Sequence, residues 1–463
     1  METFSKSDKF LDEYSATVVR IGKLEPIKNS DFLAKTQVAG FDIVVRKDQV
    51  KEGDIQIYCP IETQLRGEFL SKNNLFSDPT LNSNCAEYNK VFNTKGQDEA
   101  KKLAGFFGSN GRIRIITLRG QVSMGFIFDP KDFLKWDSNV NIYDLKEGES
   151  FDTVNGKLFI RVYYPNRADS TKVAGKKHTN GVVAGKKHTN RVEFVNATYR
   201  EHYDTAMLNK NMARFNPDTV ITISEKMDGT SWRLGYVPVR IKLPWYKKLI
   251  NFIRYTYPRM EYKIIPASRR VIYYSNNKKF CNNIYRDIAS KMGEFLDYDE
   301  MLYGEALGYY PDSFKPIAHK NNHIYDYGVE VGKYKIIIYR AVIKGKELNL
   351  TEVNELVNSI LKDNPEYKGY LEPVNIMYCG KFKDLYPDIP VDDNWRSAVL
   401  ERMKNDPKLL MEQDSPRCKP GTPSEGIVVR IVDDTMPEAF KLKCIRYQKE
   451  EAKDVDKGIL TEE

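Results

Sequence analysis

Four short segments place charged residues inside otherwise apolar runs: Lys226 and Asp228 in EKMDG, Glu305 in YGEALG, Glu425 in SEGIVVR, and Lys441 with Lys443 in FKLKC. A charge within a strand pattern costs free energy unless it is paired or used. Any one of them alone reads as a surface charge or a satisfied ion pair. Together, three lysines and three carboxylates complement nucleotide phosphates and a divalent metal. A lysine attacks phosphorus only as the free amine, a state favoured by neighbouring cations or desolvation; a metal, Lys441 and Lys443 would supply the cations for Lys226. The same lysines would neutralise charge building up on the attacked phosphoryl group. Glu305 and Glu425 are natural oxygen ligands, direct or through water, for Mg²⁺ or Mn²⁺. Gly229, beside the candidate nucleophile, permits a close backbone approach at a tight turn.

The elements around these residues must hold them together. VITISEKMDGTSWRLGYV predicts a hairpin turning at Asp228 and Gly229. MLYGEALG, YKIIIYRAVI, SEGIVVRI and AFKLKC predict further strands, the last two as a pair, while Leu243 to Arg259 and CNNIYRDIASKMGEFLDY carry helical spacing. This is an α+β domain; the stretch from Tyr309 to Pro423 is assigned no role in it. Upstream, from Ser15, the runs ATVVRI, FLAKTQVAG, FDIVVRK, GDIQIYC, GRIRIITLRG and SMGFIFD predict a small antiparallel barrel or sandwich. Arg66 to Gly111 is polar and reads as a long loop or a pair of short helices. Tyr58 and Phe69 read as core residues in preference to base-stacking platforms. Between the two halves VAGKKHTN occurs twice, at Val173 to Asn180 and Val183 to Asn190, which predicts a flexible basic linker. His178 and His188 recur within it, but no helix or hairpin pattern holds them together as metal ligands.

A chain of 463 residues exceeds what one hydrophobic core sustains, so two domains are expected. The net charge of +8, from 72 basic and 64 acidic residues, permits a phosphate-bearing partner without requiring one. The six cysteines are scattered with no CxxC pair, which argues against a zinc module or a disulfide framework and for a reducing cytoplasm. The polar N-terminus METFSKSDKF has no signal-peptide core, and no run is long enough to span a membrane. A soluble intracellular monomer is expected.

The ordered set EKMDGTS, ASRR, YGEALG, IIIYRAV, EGIVVR and FKLKC resembles the six motifs of the covalent nucleotidyltransferase superfamily of DNA ligases, RNA ligases and mRNA capping enzymes. The resemblance implies that Lys226 accepts AMP, with Asp228 as its motif partner. It implies that Arg269 contacts phosphate or ribose, Glu305 ribose or metal, and Glu425 metal, and that Tyr339, with Tyr334 close by, stacks on adenine. Lys441 and Lys443 would contact the AMP phosphate, and Glu225 and Arg233 are further nucleotide-binding candidates. Only about twenty residues follow Lys443, too few for the C-terminal OB domain usual in DNA ligases and capping enzymes. KLEPIKNSD, GFDIVVRKDQVKEGDIQIY, IRIITLRGQVSMGFIF, GESFDT and HYDTAMLNKN resemble the Deinococcus-type (DraRnl-like) RNA ligases.

The fold implied is two-domain: an N-terminal all-β OB-like barrel over residues 1–168, a basic linker over 169–195, and over 196–463 an α+β nucleotidyltransferase domain of the ATP-grasp-like, ligase-adenylylation type with antiparallel sheets. The activity implied is ATP-dependent, Mg²⁺- or Mn²⁺-requiring sealing of 3′-hydroxyl and 5′-phosphate ends in RNA or an RNA-containing duplex, in the cytoplasm of a bacterial or virus-infected cell. An ATP-dependent DNA ligase, a capping-type guanylyltransferase and a non-catalytic OB-containing nucleic-acid-binding protein are the competing readings.

Overall fold

The computed structural model describes residues 3–7, 12–28, 30–164, 199–200, 202, 205–241, 244–248, 260–269, 272–273, 284–292, 295–432 and 438–457. The duplicated VAGKKHTN with His178 and His188, and most of the helix expected over Leu243 to Arg259, fall outside them. Two compact units emerge, Met1–Arg167 with Val455–Leu460, and Ala168–Asp454 with Thr461–Glu463.

In the first unit the alternating runs become antiparallel strands. Phe126–Phe128, Ile55–Cys59, Ala16–Arg20 and Ser150–Phe151 form one sheet in that order, and Glu25–Pro26, Leu33–Val38 and Phe41–Arg46 another. Their inward residues, such as Val18, Ile43, Val45 and Ile57, are buried, as period-two alternation requires. The unit is not purely β: the polar stretch after Arg66 folds into helices Gly67–Lys72, Cys85–Lys95 and Gln97–Lys101. Tyr58 and Phe69 are fully buried, so neither is available to stack on a base.

Among the described residues the second unit contains two large sheets and a two-stranded ribbon, and its elements are numbered from its start. The first sheet, in spatial order, is β1 (Ala206–Met207), β13 (Ala439–Lys443), β12 (Gly426–Ile431), β2 (Val220–Lys226) and β11 (Ile376–Lys381). The second runs β4 (Met260–Ser268), β3 (Thr230–Arg240), β5 (Glu300–Gly308), β8 (Tyr334–Ile343), β9 (Lys346–Glu347), with β10 (Leu371–Pro373) also on β8. Pairings are antiparallel except β1 with β13 and β8 with β10. The remaining strands β6 (His319–Lys320) and β7 (His323–Ile324) make a separate two-stranded ribbon. Helices α1 (Ile284–Met292), α2 (Leu350–Asp363), α3 (Trp395–Lys404) and α4 (Ile445–Asp456) complete the set used below.

Packing follows the sequence pattern. Helix α2 opens with a reciprocal cap in which the Glu352 amide donates to the Asn349 side chain and the Asn349 amide to the Glu352 carboxylate. Its apolar stripe of Leu350, Val353, Val357, Ile360 and Leu361 is buried, and Val353, Val357, Ile360 and Leu361 join Trp232, Leu302 and Ile336 of the second sheet in one core. Ile221 and Ile223 of β2, Ile427 and Val429 of β12, and Trp395 and Met403 of α3 form another.

The structure overturns the expected hairpin. β2 and β3 do not form a hairpin, because β2 pairs with β11 and β12 while β3 pairs with β4 and β5. The segment Met227–Gly229 instead crosses from one sheet to the other. Strands rich in buried residues on both faces take two neighbours each, and both neighbours of β2 lie far away in sequence.

Candidate active site

Strand register assembles the first half of the site. β2 runs antiparallel to β12 with Lys226 opposite Gly426, so Glu425, one residue earlier, sits beside the end of β2. The Lys226 ammonium donates to Glu425 Oε1 at 2.5 Å, with the Glu425 side chain 3% exposed. On the other edge of β12, Gly426 lies opposite Lys443 and Val428 opposite Lys441. Gly426 has φ +143°, and a Cβ there would meet the Leu442 carbonyl oxygen at 2.1 Å and Lys443 Cα at 2.8 Å. Only glycine lets β12 and β13 close at this point.

The crossing to the second sheet supplies the rest. Asp228 donates its amide to the Tyr327 hydroxyl at 2.7 Å, and its Oδ2 lies 3.7 Å from Lys320 Nζ. Gly229 passes so close to β5 that a Cβ would fall 2.4 Å from the Ala306 carbonyl oxygen and 2.8 Å from Glu305 Cγ. That approach brings Glu305 to the end of β2. Lys226, Asp228, Glu305, Glu425, Lys441, Glu225, Arg269 and Tyr339 all line one cavity of about 210 Å³.

Two expected site residues do not line it. Lys443 is tied to Glu451 of α4, at 3.1 and 3.2 Å, both side chains being buried, and it is Glu451 that faces the cavity. Arg233 is 1% exposed and donates to the carbonyls of Ser268, Arg200 and Arg269 at 3.0, 2.8 and 3.4 Å, with Tyr199 against its guanidinium. It braces the backbone that carries Arg269. Tyr339 hydrogen-bonds His202 Nδ1 through its hydroxyl at 3.0 Å, and the Arg430 guanidinium lies 5.4 Å from its ring centroid. Tyr334 is buried in the core with its hydroxyl donating to Asp287, away from the cavity. Glu225 pairs with Arg417 at 3.2 Å.

Lys320, Tyr327 and Glu451 were not legible as site residues. Lys320 and Tyr327 come from the otherwise unassigned stretch after Tyr309, and Glu451 sits among several charges on α4. Each reaches the site only through tertiary packing. The single hint was AHKNNH, a polar turn signal flanked by basic residues.

The carboxyl groups respond to this enclosure. Burial pushes Asp228 up to about 7, against the opposing pull of Lys320, and pushes Glu305 up to about 8, against Lys226. Both folded values are raised, so the folded state holds these protons more tightly than the unfolded chain. The associated stability is complete below pH about 4, where unfolded carboxyls titrate, and is lost as the pH rises through about 7 and 8. Asp228→Asn and Glu305→Gln, permanently uncharged, are therefore expected to melt a few degrees above the wild type at pH 9, with little difference at pH 4. A gain of equal size at both pH values in a thermal scan would contradict the assignment.

Among the described residues, no group of three or more His, Cys, Asp or Glu side chains is arranged to hold a metal. The donor set nevertheless fits a cation completed by water and phosphate oxygens, the usual manner for Mg²⁺. Glu425 Oε2 and Asp228 Oδ2 are buried without a hydrogen-bond partner, oxygens that a cation or its water would satisfy.

No described helix is long and apolar enough to cross a membrane. No curated protein sequence matches the chain. A family model described as an OB-fold domain matches residues 15–79. Among solved structures, an RNA ligase mutant from Naegleria gruberi with AMP and Mn is similar at 17% identity over 94% of this chain and 98% of that one, TM-score 0.53. Mutants of the same ligase with ATP and Mn match at 16% identity, one over 94% of this chain at TM-score 0.53 and one over 95% at 0.52, each over 98% of the ligase. The chain shares the fold of the Naegleria gruberi RNA ligase, and its residues 15–79 are similar to an OB-fold domain.

Proposed function

We propose that this chain is an ATP-dependent RNA ligase that works through AMP bonded to Lys226. The observation that carries the reading is the 2.5 Å contact between Lys226 and the buried Glu425, in one cavity with Asp228, Glu305 and Lys441. Glu425 favours the ammonium form, so the lysine must leave this pair, and lose its proton, before it attacks. A divalent cation at Glu425 and Glu305 would supply the positive charge that competes with the ammonium for the carboxylate.

The freed amine then forms a phosphorus–nitrogen bond to the α-phosphorus of ATP while the bond to the bridging oxygen breaks and pyrophosphate leaves. Lys441 and Arg269 line the cavity where they would neutralise the charge on that phosphoryl group. AMP passes from Lys226 to a 5′-phosphate end, and a 3′-hydroxyl attacks that phosphate and releases AMP. Tyr339 would stack on the adenine.

In this reading residues 1–168 form a module that binds nucleic acid, in the manner of OB folds, residues 169–195 link it to the catalytic domain over 196–463, and the substrate is a nicked duplex whose 3′-hydroxyl strand is RNA. The test is a matrix of nicked duplexes with RNA or DNA on each side of the break, with ATP or GTP as donor. Sealing is expected with ATP whenever the 3′-hydroxyl strand is RNA. Sealing of all-DNA nicks at the same rate would make it a DNA ligase, and labelling by GTP alone would make it a capping-type enzyme.

A further inference from the structure

The last motif offers two lysines for phosphate, yet in the folded chain Lys443 pairs with Glu451 and does not line the cavity. A different lysine occupies the wall. Lys320 is 8% exposed, lines the same cavity as Lys226 and Lys441, and among the described residues has one polar partner, the 3.7 Å ion pair with Asp228. That distance is too long for a hydrogen bond. An ammonium carries three donors, and on the cavity wall these face space that a ligand or water can fill.

Its position is braced from outside the motifs. Lys320 ends β6, and the next residue, Asn321, turns the ribbon with φ +52°. The Asn321 amide donates to Asp454 of α4 at 2.8 Å and its side chain to Glu450 at 2.8 Å. Tyr325, just past β7, packs edge-on to Tyr447 of α4 at 5.6 Å between centroids. Helix α4 thus holds both ends of an exchange: Glu451 withdraws Lys443, and Glu450 with Asp454 fixes the turn that delivers Lys320.

Resting on the ligase reading above, we infer that Lys320 is a catalytic residue that binds the β- and γ-phosphates of the nucleoside triphosphate, the part that departs as pyrophosphate. A triphosphate brings more negative charge than the AMP portion that Lys441 and Arg269 serve. Of the other cations on the wall, Arg340 pairs with Glu347 and Arg430 donates to the Tyr339 carbonyl, whereas Lys320 enters from a separate element beside Asp228.

The test is calorimetric binding of inorganic pyrophosphate, ATP and AMP to full-length Lys320→Met and Lys320→Arg, with adduct formation by the wild type as control. Lys320→Met is expected to weaken pyrophosphate and ATP by about tenfold or more, the scale of a charge-assisted hydrogen bond, and AMP by less than twofold; Lys320→Arg should recover part of the loss. Equal weakening of all three ligands would mean that Lys320 merely holds Asp228, and would overturn the inference. So would unchanged pyrophosphate affinity in a variant with wild-type melting, or a wild type that binds no pyrophosphate. A wild type that binds pyrophosphate but forms no AMP adduct would instead remove the ligase reading while leaving the anion site standing.

Discussion

Lys226→Ala is expected to abolish transfer of label from α-labelled ATP to the protein, a loss of about a thousandfold or more, because no other step can substitute for the missing nucleophile. The arrangement makes this a demanding test. Lys441 and Lys320 face the same cavity, so two other amines stand within it. Lys226 differs from them in its 2.5 Å contact with Glu425 at the end of β2. Peptide mapping of the wild-type adduct should find AMP on Lys226, and Lys226→Arg should be as inert as the alanine variant. An adduct that persists in Lys226→Ala, on Lys320 or Lys441, would refute the assignment of the nucleophile even though an adduct forms.

Gly426→Ala should be among the most damaging single substitutions in the chain. The clash is with backbone, the Leu442 carbonyl at 2.1 Å and Lys443 Cα at 2.8 Å, and backbone in a sheet centre cannot swing aside as a flexible side chain can. A φ of +143° adds strain for any residue with a Cβ. The expected loss of stability is on the order of 3 kcal/mol or more. The functional effect should match it, because β12 meets β2 at Gly426 opposite Lys226 and β13 opposite Lys443. Parting β12 from β13 would shift Glu425 and Lys441 together. Thermal unfolding beside adduct labelling reads both; wild-type melting with wild-type labelling would show that the strands tolerate the wider spacing.

Strand content was readable where pattern and burial agree. YKIIIYRAVI became β8 at Tyr334–Ile343, and the pair expected from SEGIVVRI and AFKLKC forms as β12 and β13. The hairpin expected across Asp228 and Gly229 failed although its turn residues are good ones, because turn chemistry reports only the local bend. Which partners a strand takes depends on residues far away in the chain. Arg233 reads as a nucleotide-binding candidate in sequence and sits as a buried brace, with three of its guanidinium's five donors taken by carbonyls that only the fold brings within reach.

By itself the sequence determined the chemical inventory of the candidate site: a lysine, carboxylates and further lysines set inside apolar strands, in an order that resembles the motifs of a known superfamily. Types and order are local properties, carried by the chain whether folded or not. Only the tertiary structure decided which charge meets which. It drew Lys443 to Glu451, put Lys320 beside Asp228, and carried the chain after Lys226 across to a second sheet instead of folding it back as a hairpin. Lys226 and Glu425 meet across 199 positions of sequence and Asp228 and Tyr327 across 99, and electrostatic partnership depends on separation in space, which no spacing along the chain encodes.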